Sequence, residues 1–342
     1  MSGQVGAGSA AAMTVVFAAA TSVALIALLY PLLKRYALAK PNPRSSHSTP
    51  TPQGAGIAVI AAMFVAVGIA LSLRWFGPIL DSQLRVLIPA VVAMACVGAI
   101  DDIRPLPVGS RLLPQVIIVA VVIFTLPDHL RIVPLLPWWP ERLLLVLGGL
   151  WFVNLVNFMD GLDWMTAAEV IPVAATLAVI GGLGGLPPQA IVVSLALCGA
   201  MIGFAYFNRP IAKLFLGDVG SLPIGLLLGW LLLLVATRGY LAAATVMPLY
   251  YLADATITLL RRLIDGESVW QAHRTHFYQI ATERGFTVTE VVGWVFAANL
   301  GLCALALWTV IAPGRLSEVG ALLGGAFLVT CLLFAFAQGK GK

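Results

Sequence analysis

Charge is what this sequence has least of. Only 10% of its 342 residues are Asp, Glu, Lys or Arg, against 60% hydrophobic, and the mean hydropathy is +0.98. That balance excludes an ordinary soluble protein. No polar stretch is long enough to fold separately between the apolar runs, so residues 1–342 are expected to form a single membrane domain. Cysteine is equally scarce: Cys96, Cys198, Cys303 and Cys331 lie singly in different apolar runs without C-x-x-C spacing. This argues against a disulfide framework or thiolate metal site and leaves them as packing residues. Walker A, Ser–His–Asp and haem patterns are all missing. The net charge of +5 and pI near 9.2 do not describe a nucleic-acid-binding protein, because the basic residues are scattered over short connections.

What is present is a succession of apolar runs, each of roughly 17 to 24 residues and long enough to cross a hydrocarbon core as a helix. Turn and charge signals predict an all-α polytopic membrane bundle of about eleven transmembrane helices, over 13–33, 55–74, 84–101, 112–127, 141–159, 165–184, 188–207, 219–236, 240–262, 288–311 and 317–337. The first run has no basic segment before it and Lys34 and Arg35 after it, which reads as a retained span rather than a cleaved signal. With the N-terminus periplasmic and the C-terminus cytoplasmic, fourteen of the twenty Lys and Arg residues fall on the cytoplasmic side, as the positive-inside rule requires. Trp138 and Trp139 then fall at the opposite interface, where indoles are favoured.

This topology gathers the polar motifs on one face. "AIDD" (Asp101, Asp102), "NLVNFMDG" (Asn154 to Gly161), "FLGDVGSL" (Phe215 to Leu222), "AHRTHFYQ" (Ala272 to Gln279) and "KPNPRSSHSTPTPQGAG" (Lys40 to Gly56) all lie at predicted cytoplasmic span ends or loops. The outer connections "GGLGGLPP" and "TRGY" hold nothing suited to chemistry.

Asn154, Asn157 and Asp160 project within about 120° of arc at the inner end of the fifth span. Interhelical hydrogen bonding is the bland explanation for such a stripe. It accounts poorly for Asp160, since a carboxylate at a helix C-terminus meets the unfavourable end of the macrodipole. Asp101 and Asp102 have the same problem, and two acidic helix ends on one face suggest a hard cation, Mg²⁺ or Mn²⁺, as counter-charge. Asp218, with Gly220 and Ser221, opens the eighth span either as an ordinary N-cap or as a metal ligand beside a phosphate-binding helix N-terminus. His273, Arg274 and His276 follow Arg261 and Arg262 and suit anionic oxygen. A metal site with Asp265 or Glu267, or a merely solvated basic loop, are the other readings. The Pro- and Ser-rich stretch from Lys40 predicts an irregular loop in which Arg44, Ser45, Ser46 and His47 contact anions, or else a linker. Together these groups suit phosphoryl transfer between a cytoplasmic donor and a lipid-borne acceptor.

In order and placement, "IDD", "NxxNxxDG", "GDVGS" and the "HRTH" loop resemble the polyprenyl-phosphate N-acetylhexosamine-1-phosphate transferases, glycosyltransferase family 4. The resemblance implies transfer of a sugar 1-phosphate from a UDP-N-acetyl sugar to undecaprenyl phosphate with Mg²⁺, releasing UMP, in a bacterial inner membrane. It also implies that Asp218 binds the metal, that Asp101 and Asp102 sit near the acceptor phosphate, and that Asn157 and Asp160 help bind nucleotide and catalytic groups. The first loop and "AHRTHFYQ" are similar to O-antigen-initiating members, although Gln53 and Ala55 stand where that group more often has Arg and Gly. The peptidoglycan-precursor branch, phospho-MurNAc-pentapeptide transferase, typically carries three consecutive histidines, which this chain lacks. Because a phosphate monoester is largely a dianion at neutral pH, direct attack on the donor's β-phosphorus is favoured. In that route Asp101 or Asp102 orients the acceptor, and a covalent aspartyl route is the alternative. A transporter of lipid or nucleotide sugar is the different class of reading. It would use polar groups deep in the bilayer, where Asp254 is the only acidic residue placed well inside a predicted span. A homodimer is left open.

Overall fold

The computed structural model describes residues 6–39, 50–76, 82–267 and 273–340. Among them are thirteen helices and one small two-stranded sheet. Eight helices are long and apolar enough to cross a membrane: α1 (Ala7–Tyr36), α3 (Ser82–Ile103), α5 (Trp138–Met159), α6 (Met165–Gly182), α7 (Pro188–Ala205), α8 (Asp218–Thr237), α12 (Val288–Ile311) and α13 (Arg315–Gln338). The apolar helices α2 (Gly56–Ser72) and α4 (Val108–Phe124) are slightly shorter, at 17 residues each. That length spans about 26 Å.

The expected single span over 240–262 is instead broken into α9 (Leu241–Val246) and α10 (Leu249–Ile264). Pro248 stands between them; it lacks an N–H and its ring obstructs the preceding turn, so one helix ends there and the next begins. α10 is two-faced as a result of its own pattern. Tyr250, Tyr251, Asp254, Thr258 and Arg262 are buried, while Ile257, Leu260, Leu263 and Ile264 are exposed. The short helix α11 (Phe277–Glu283) precedes α12, whose start is fixed by a reciprocal capping box between Thr287 and Glu290.

Small residues set the closest helix contacts. Along α1, Ala10, Thr14, Ala18 and Ser22 form a four-residue seam against α7. Opposite it stand Gly199 and Gly203, where any Cβ would collide with the α1 backbone at Val15 or Ala19. Without a hydrophobic driving force between helices in lipid, such backbone-close packing is what holds them. α8 lies at the centre, buried along almost its whole length among α2, α3 and α5.

The stretch predicted as an irregular loop from Lys40 contains β2 (Thr51–Pro52), which pairs antiparallel with β1 (Leu38–Ala39) just before that stretch. From β2 the chain is tied to the segment entering α8: Phe215 N donates to Pro52 O, Gly54 N and Ala55 N to Phe215 O, and Gly56 N to Leu216 O. Arg44, Ser45, Ser46 and His47 lie outside the described residues.

Candidate functional site

The C-terminus of α3 meets the N-terminus of α8 through one carboxylate. Asp218 N and Val219 N both donate to Asp102, at 3.0 Å to Oδ1 and 3.0 Å to Oδ2. Asp102 therefore sits at the unfavourable end of its own helix dipole and at the favourable end of another, which removes the electrostatic objection to its position. The next two N–H groups, of Gly220 and Ser221, donate to Gly217 O. The first turn of α8 is thus already satisfied, so the expectation of an open phosphate cradle there is corrected. Gly220 serves packing. A Cβ on it would strike Leu216 and Gly56, and one on Gly98 of α3 would fall on the Asp218 carbonyl. Asp218 is not the N-cap either: Gly217 holds that place, and the Asp218 side chain is turned to other partners.

Those partners make the polar centre. Asn157 Nδ2 donates to Asp218 Oδ1 at 2.7 Å and to Ser221 Oγ at 2.9 Å, tying α5 to α8. Asp101 and Asp102 are the charged neighbours of Asp218. Asp101 Oδ1 accepts from Leu106 N at 2.6 Å, and its Oδ2 pairs with Arg111 Nη1 at 3.2 Å. Gln53 Nε2 donates to the Asp102 carbonyl at 3.0 Å, linking the segment after β2 to the same corner.

The expected Asn154, Asn157, Asp160 stripe divides into three roles. Asn154 Nδ2 donates to Gln115 Oε1 of α4 and to Leu150 O, which is interhelical bonding. Asn157 faces Asp218. Asp160 accepts a hydrogen bond from Thr166, in the first turn of the neighbouring α6. Burial pushes the Asp160 carboxyl up to about 7, with Asp102 and Asp163 nearby adding to the rise. The turn that carries it is pinned from outside. Trp164 N donates to Asn208 Oδ1, the indole N–H donates to Ala205 O, and Ala212 N donates to Asp163 Oδ2. Trp164 holds a left-handed φ of 65°, rare for an aromatic residue and sustained by these contacts.

The third wall comes from α10 and α11. His276 is buried, with Nδ1 3.2 Å from Asp254 Oδ1. His273 is half-buried, and burial together with His276, Arg262 and Arg261 lowers its pKa to about 4. It is accordingly a neutral hydrogen-bonding group at physiological pH. Arg261 supports the loop by donating to Thr275 O at 2.7 Å. Arg274 lies 3.8 Å from Glu283 and does not line the cavity described next; Glu267, considered as a metal ligand, pairs with Arg262 at 2.8 Å.

These walls enclose a cavity of about 690 Å³. Its polar lining is Arg111, Asn154, Asn157, Asp218, Thr256, His273, His276 and Gln279, and its apolar lining is Val108, Leu112, Leu147, Leu150, Trp151, Phe158, Leu259, Leu260 and Leu263. Sequence reasoning missed Arg111, Gln115, Asn208, Gln279 and the role of Asp254. Arg111 had a usable signal, as a basic residue ten positions after the acidic Asp101 across a Pro-containing turn. Its Nε is buried without a partner among the described residues, beside a carboxylate that its Nη1 pairs with. A second correction concerns the membrane interior: Glu169 of α6 is as buried as Asp254, and it accepts from Asn299 Nδ2 of α12 at 2.7 Å.

The chain is similar to proteins named as sugar-phosphate transferases. A Bacillus subtilis (strain 168) protein named as a probable undecaprenyl-phosphate N-acetylglucosaminyl 1-phosphate transferase is 23% identical over 308 residues, covering 83% of this chain and 84% of the relative. The decaprenyl-phosphate N-acetylglucosaminephosphotransferase of Mycobacterium leprae is 26% identical over 338 residues, with 86% and 81% covered. The phospho-N-acetylmuramoyl-pentapeptide-transferase of Shouchella clausii is 26% identical over 305 residues, with 80% and 87% covered. Residues 84–236, which run from α3 through α8 and hold Asp101, Asp102, Asn157, Asp160 and Asp218, match the glycosyl transferase family 4 model.

Proposed function

We propose that the protein transfers an N-acetylated hexosamine or deoxyhexosamine 1-phosphate from its UDP conjugate to undecaprenyl phosphate in a bacterial inner membrane. The products are undecaprenyl-diphosphate-sugar and UMP, and the step initiates an O-antigen or related surface glycan. The observation that carries this reading is the two-natured cavity: an apolar slot from α4, α5 and α10 suited to a prenyl chain, ending at Asp218, Arg111 and His276, suited to a phosphate. The basic asymmetry of the sequence supports a site open to the cytoplasm.

The residues fit a hard divalent cation. Asp101, Asp102, Asp160 and Asp218 crowd one another with Arg111 as the paired cation, a charge excess that calls for a counter-ion. Among the described residues no three acidic, His or Cys side chains form a ready cage. This suits Mg²⁺, which is commonly held by one or two carboxylates together with substrate phosphates. Asp218 would hold it, supplying charge neutralisation to the donor diphosphate.

The chain's own groups do the rest. Arg111 and His276 orient the acceptor phosphate, and Asn157 fixes the Asp218 carboxylate. An acceptor oxygen attacks the β-phosphorus, the bond to the α-phosphate oxygen breaks, and UMP leaves. Both oxygens of Asp102 accept backbone N–H bonds, and both oxygens of Asp101 are engaged by Leu106 and Arg111. That engagement favours direct attack over a covalent aspartyl route. Purified protein incubated with undecaprenyl phosphate, Mg²⁺ and a panel of UDP-N-acetyl sugars, including UDP-MurNAc-pentapeptide, tests the proposal by lipid mass spectrometry. One lipid diphosphate with equimolar UMP is expected. No product from any donor overturns the reading, and product only from the pentapeptide donor assigns the chain to the peptidoglycan branch.

A further inference from the structure

Asp254 has no part in the chemistry above, yet it is fully buried within α10 and is met there by two backbone N–H groups, two hydroxyls and an imidazole. Its Oδ1 accepts from Phe277 N at 3.0 Å, faces His276 Nδ1 at 3.2 Å and accepts from Thr258 Oγ1 at 3.3 Å. Its Oδ2 accepts from Tyr250 OH at 3.1 Å and Tyr278 N at 3.2 Å. A buried carboxyl satisfied by these five groups needs no paired metal or transported cation beside it.

We infer that Asp254 is a positioning residue: it docks the start of α11 against α10 and holds the His276 ring so that its other nitrogen, Nε2, faces the cavity. The carboxylate can only accept, so Nδ1 must carry the proton toward it. Stacking on Tyr278, with centroids 5.6 Å apart and planes at 15°, fixes the ring plane. Tyr278 in turn donates from its hydroxyl to Phe158 O at 3.0 Å, on the last turn of α5 beside Asn157 and Asp160. One carboxylate thus sets the distance between the histidine wall and the aspartate wall. An outer partner of this kind controls the tautomer and aim of a functional imidazole. The part played by Nε2 in orienting phosphate rests on the proposed transfer reaction, whereas the tautomer and docking do not.

Two measurements test it. Nitrogen-15 spectra of histidine-labelled protein in detergent, with the His276 signals assigned by their loss in His276→Gln, should show a single Nδ1–H ring. In Asp254→Asn that ring should become a tautomer mixture while helix content is retained. A wild-type ring protonated on Nε2 alone, or one unchanged in Asp254→Asn, overturns the inference whatever the enzyme's activity. The second is a kinetic cycle. Asp254→Asn should lower kcat by about 10-fold or more, the scale of losing an orienting partner, with little change in KM. In a His276→Gln background it should add almost nothing, because the two act as a unit. Additive losses assign Asp254 to stability alone. Tyr250→Phe, which removes one donor and keeps the ring, should show the same coupling in milder form and serves if Asp254→Asn does not fold. A wild type without product would count against the transfer reading and leave the spectroscopic test decisive for this one.

Discussion

The two ends of α5 carry acidic clusters of opposite character. At its first turn, Glu141 accepts from Arg131, from Ile132 N at 2.7 Å and from Val133 N at 2.8 Å. Arg142 beside it is fully buried and donates to the carbonyls of Ile123, Pro127 and Leu130. Glu141 there is paired with Arg131, and Asp128 is a second acidic neighbour of Arg142, so the charges are matched, and the cluster lines no part of the large cavity. At the last turn of α5, Asn157 and Asp160 join Asp101, Asp102 and Asp218, with Arg111 as the paired cation and a cavity alongside. Both ends use a carboxylate to satisfy backbone N–H groups. What separates the proposed site from a structural knot is the unbalanced charge beside open space.

The sharpest way to break that contrast is to remove charge at the open end. Asp218→Asn preserves size and, since Gly217 is the cap, costs α8 no cap. Product formation is expected to collapse by about 10³-fold or to demand far more Mg²⁺, the scale of losing a preorganised charge group. The thermal midpoint should stay near wild type. Rate measured against Mg²⁺ concentration checks this, and superimposable curves would reduce Asp218 to a structural residue.

Next in size are the groups that aim the centre. Asn157→Ala releases Asp218 and Ser221 together, and Asp160→Asn removes the acceptor charge facing Thr166. Each is expected to lower turnover by about 10²-fold in folded, detergent-stable protein. Full activity in both would make the stripe structural throughout, as Asn154 already is in its bond to Gln115.

Asp102→Asn separates position from charge. Asn keeps one acceptor oxygen but turns an amide donor toward the other backbone N–H, so one of the two α8 N–H groups loses its partner, at a cost of about 1–3 kcal/mol. Turnover should fall by about 10-fold, equivalent to roughly 1.4 kcal/mol on the barrier. Thermal melts and initial rates on the same preparation check both. A loss as large as that of Asp218→Asn would give Asp102 a direct contact with the reacting groups.

Most of the bundle was legible because apolar run length is a strong signal in a membrane chain. The break at Pro248 was not read, since Pro inside an apolar run also occurs without a break, as at Pro89 in α3 and Pro223 in α8. The acidic motifs were legible as local sequence. Their pairing was not: Asp102 caps a helix 116 residues later, and Asp254 meets Phe277 across 23 residues. Cross-chain capping leaves no spacing rule, which is why a phosphate cradle was expected at α8 where a carboxylate already sits. Arg111 and Glu169 were passed over for a similar reason, since a lone charge counts toward topology until its partner is visible.

The smallest expected effect is at the closed end of α5, and it is the control on which the comparison stands. Glu141→Gln keeps the side-chain shape and one acceptor oxygen for Ile132 N and Val133 N, but leaves Arg131 and Arg142 without the negative charge between them. The loop before α5 should loosen, and the thermal midpoint should fall by about 2–4 °C, as a modest destabilisation does in a domain of this size. Turnover per folded molecule should remain within about 2-fold of wild type, because no group at that end reaches the cavity and distant sites contribute independently. Differential scanning of the purified variant beside UMP release at saturating donor measures both quantities. A large fall in turnover without a fall in melting temperature would mean that the two ends of α5 are mechanically coupled, and charge balance alone would no longer explain why one end works and the other only holds.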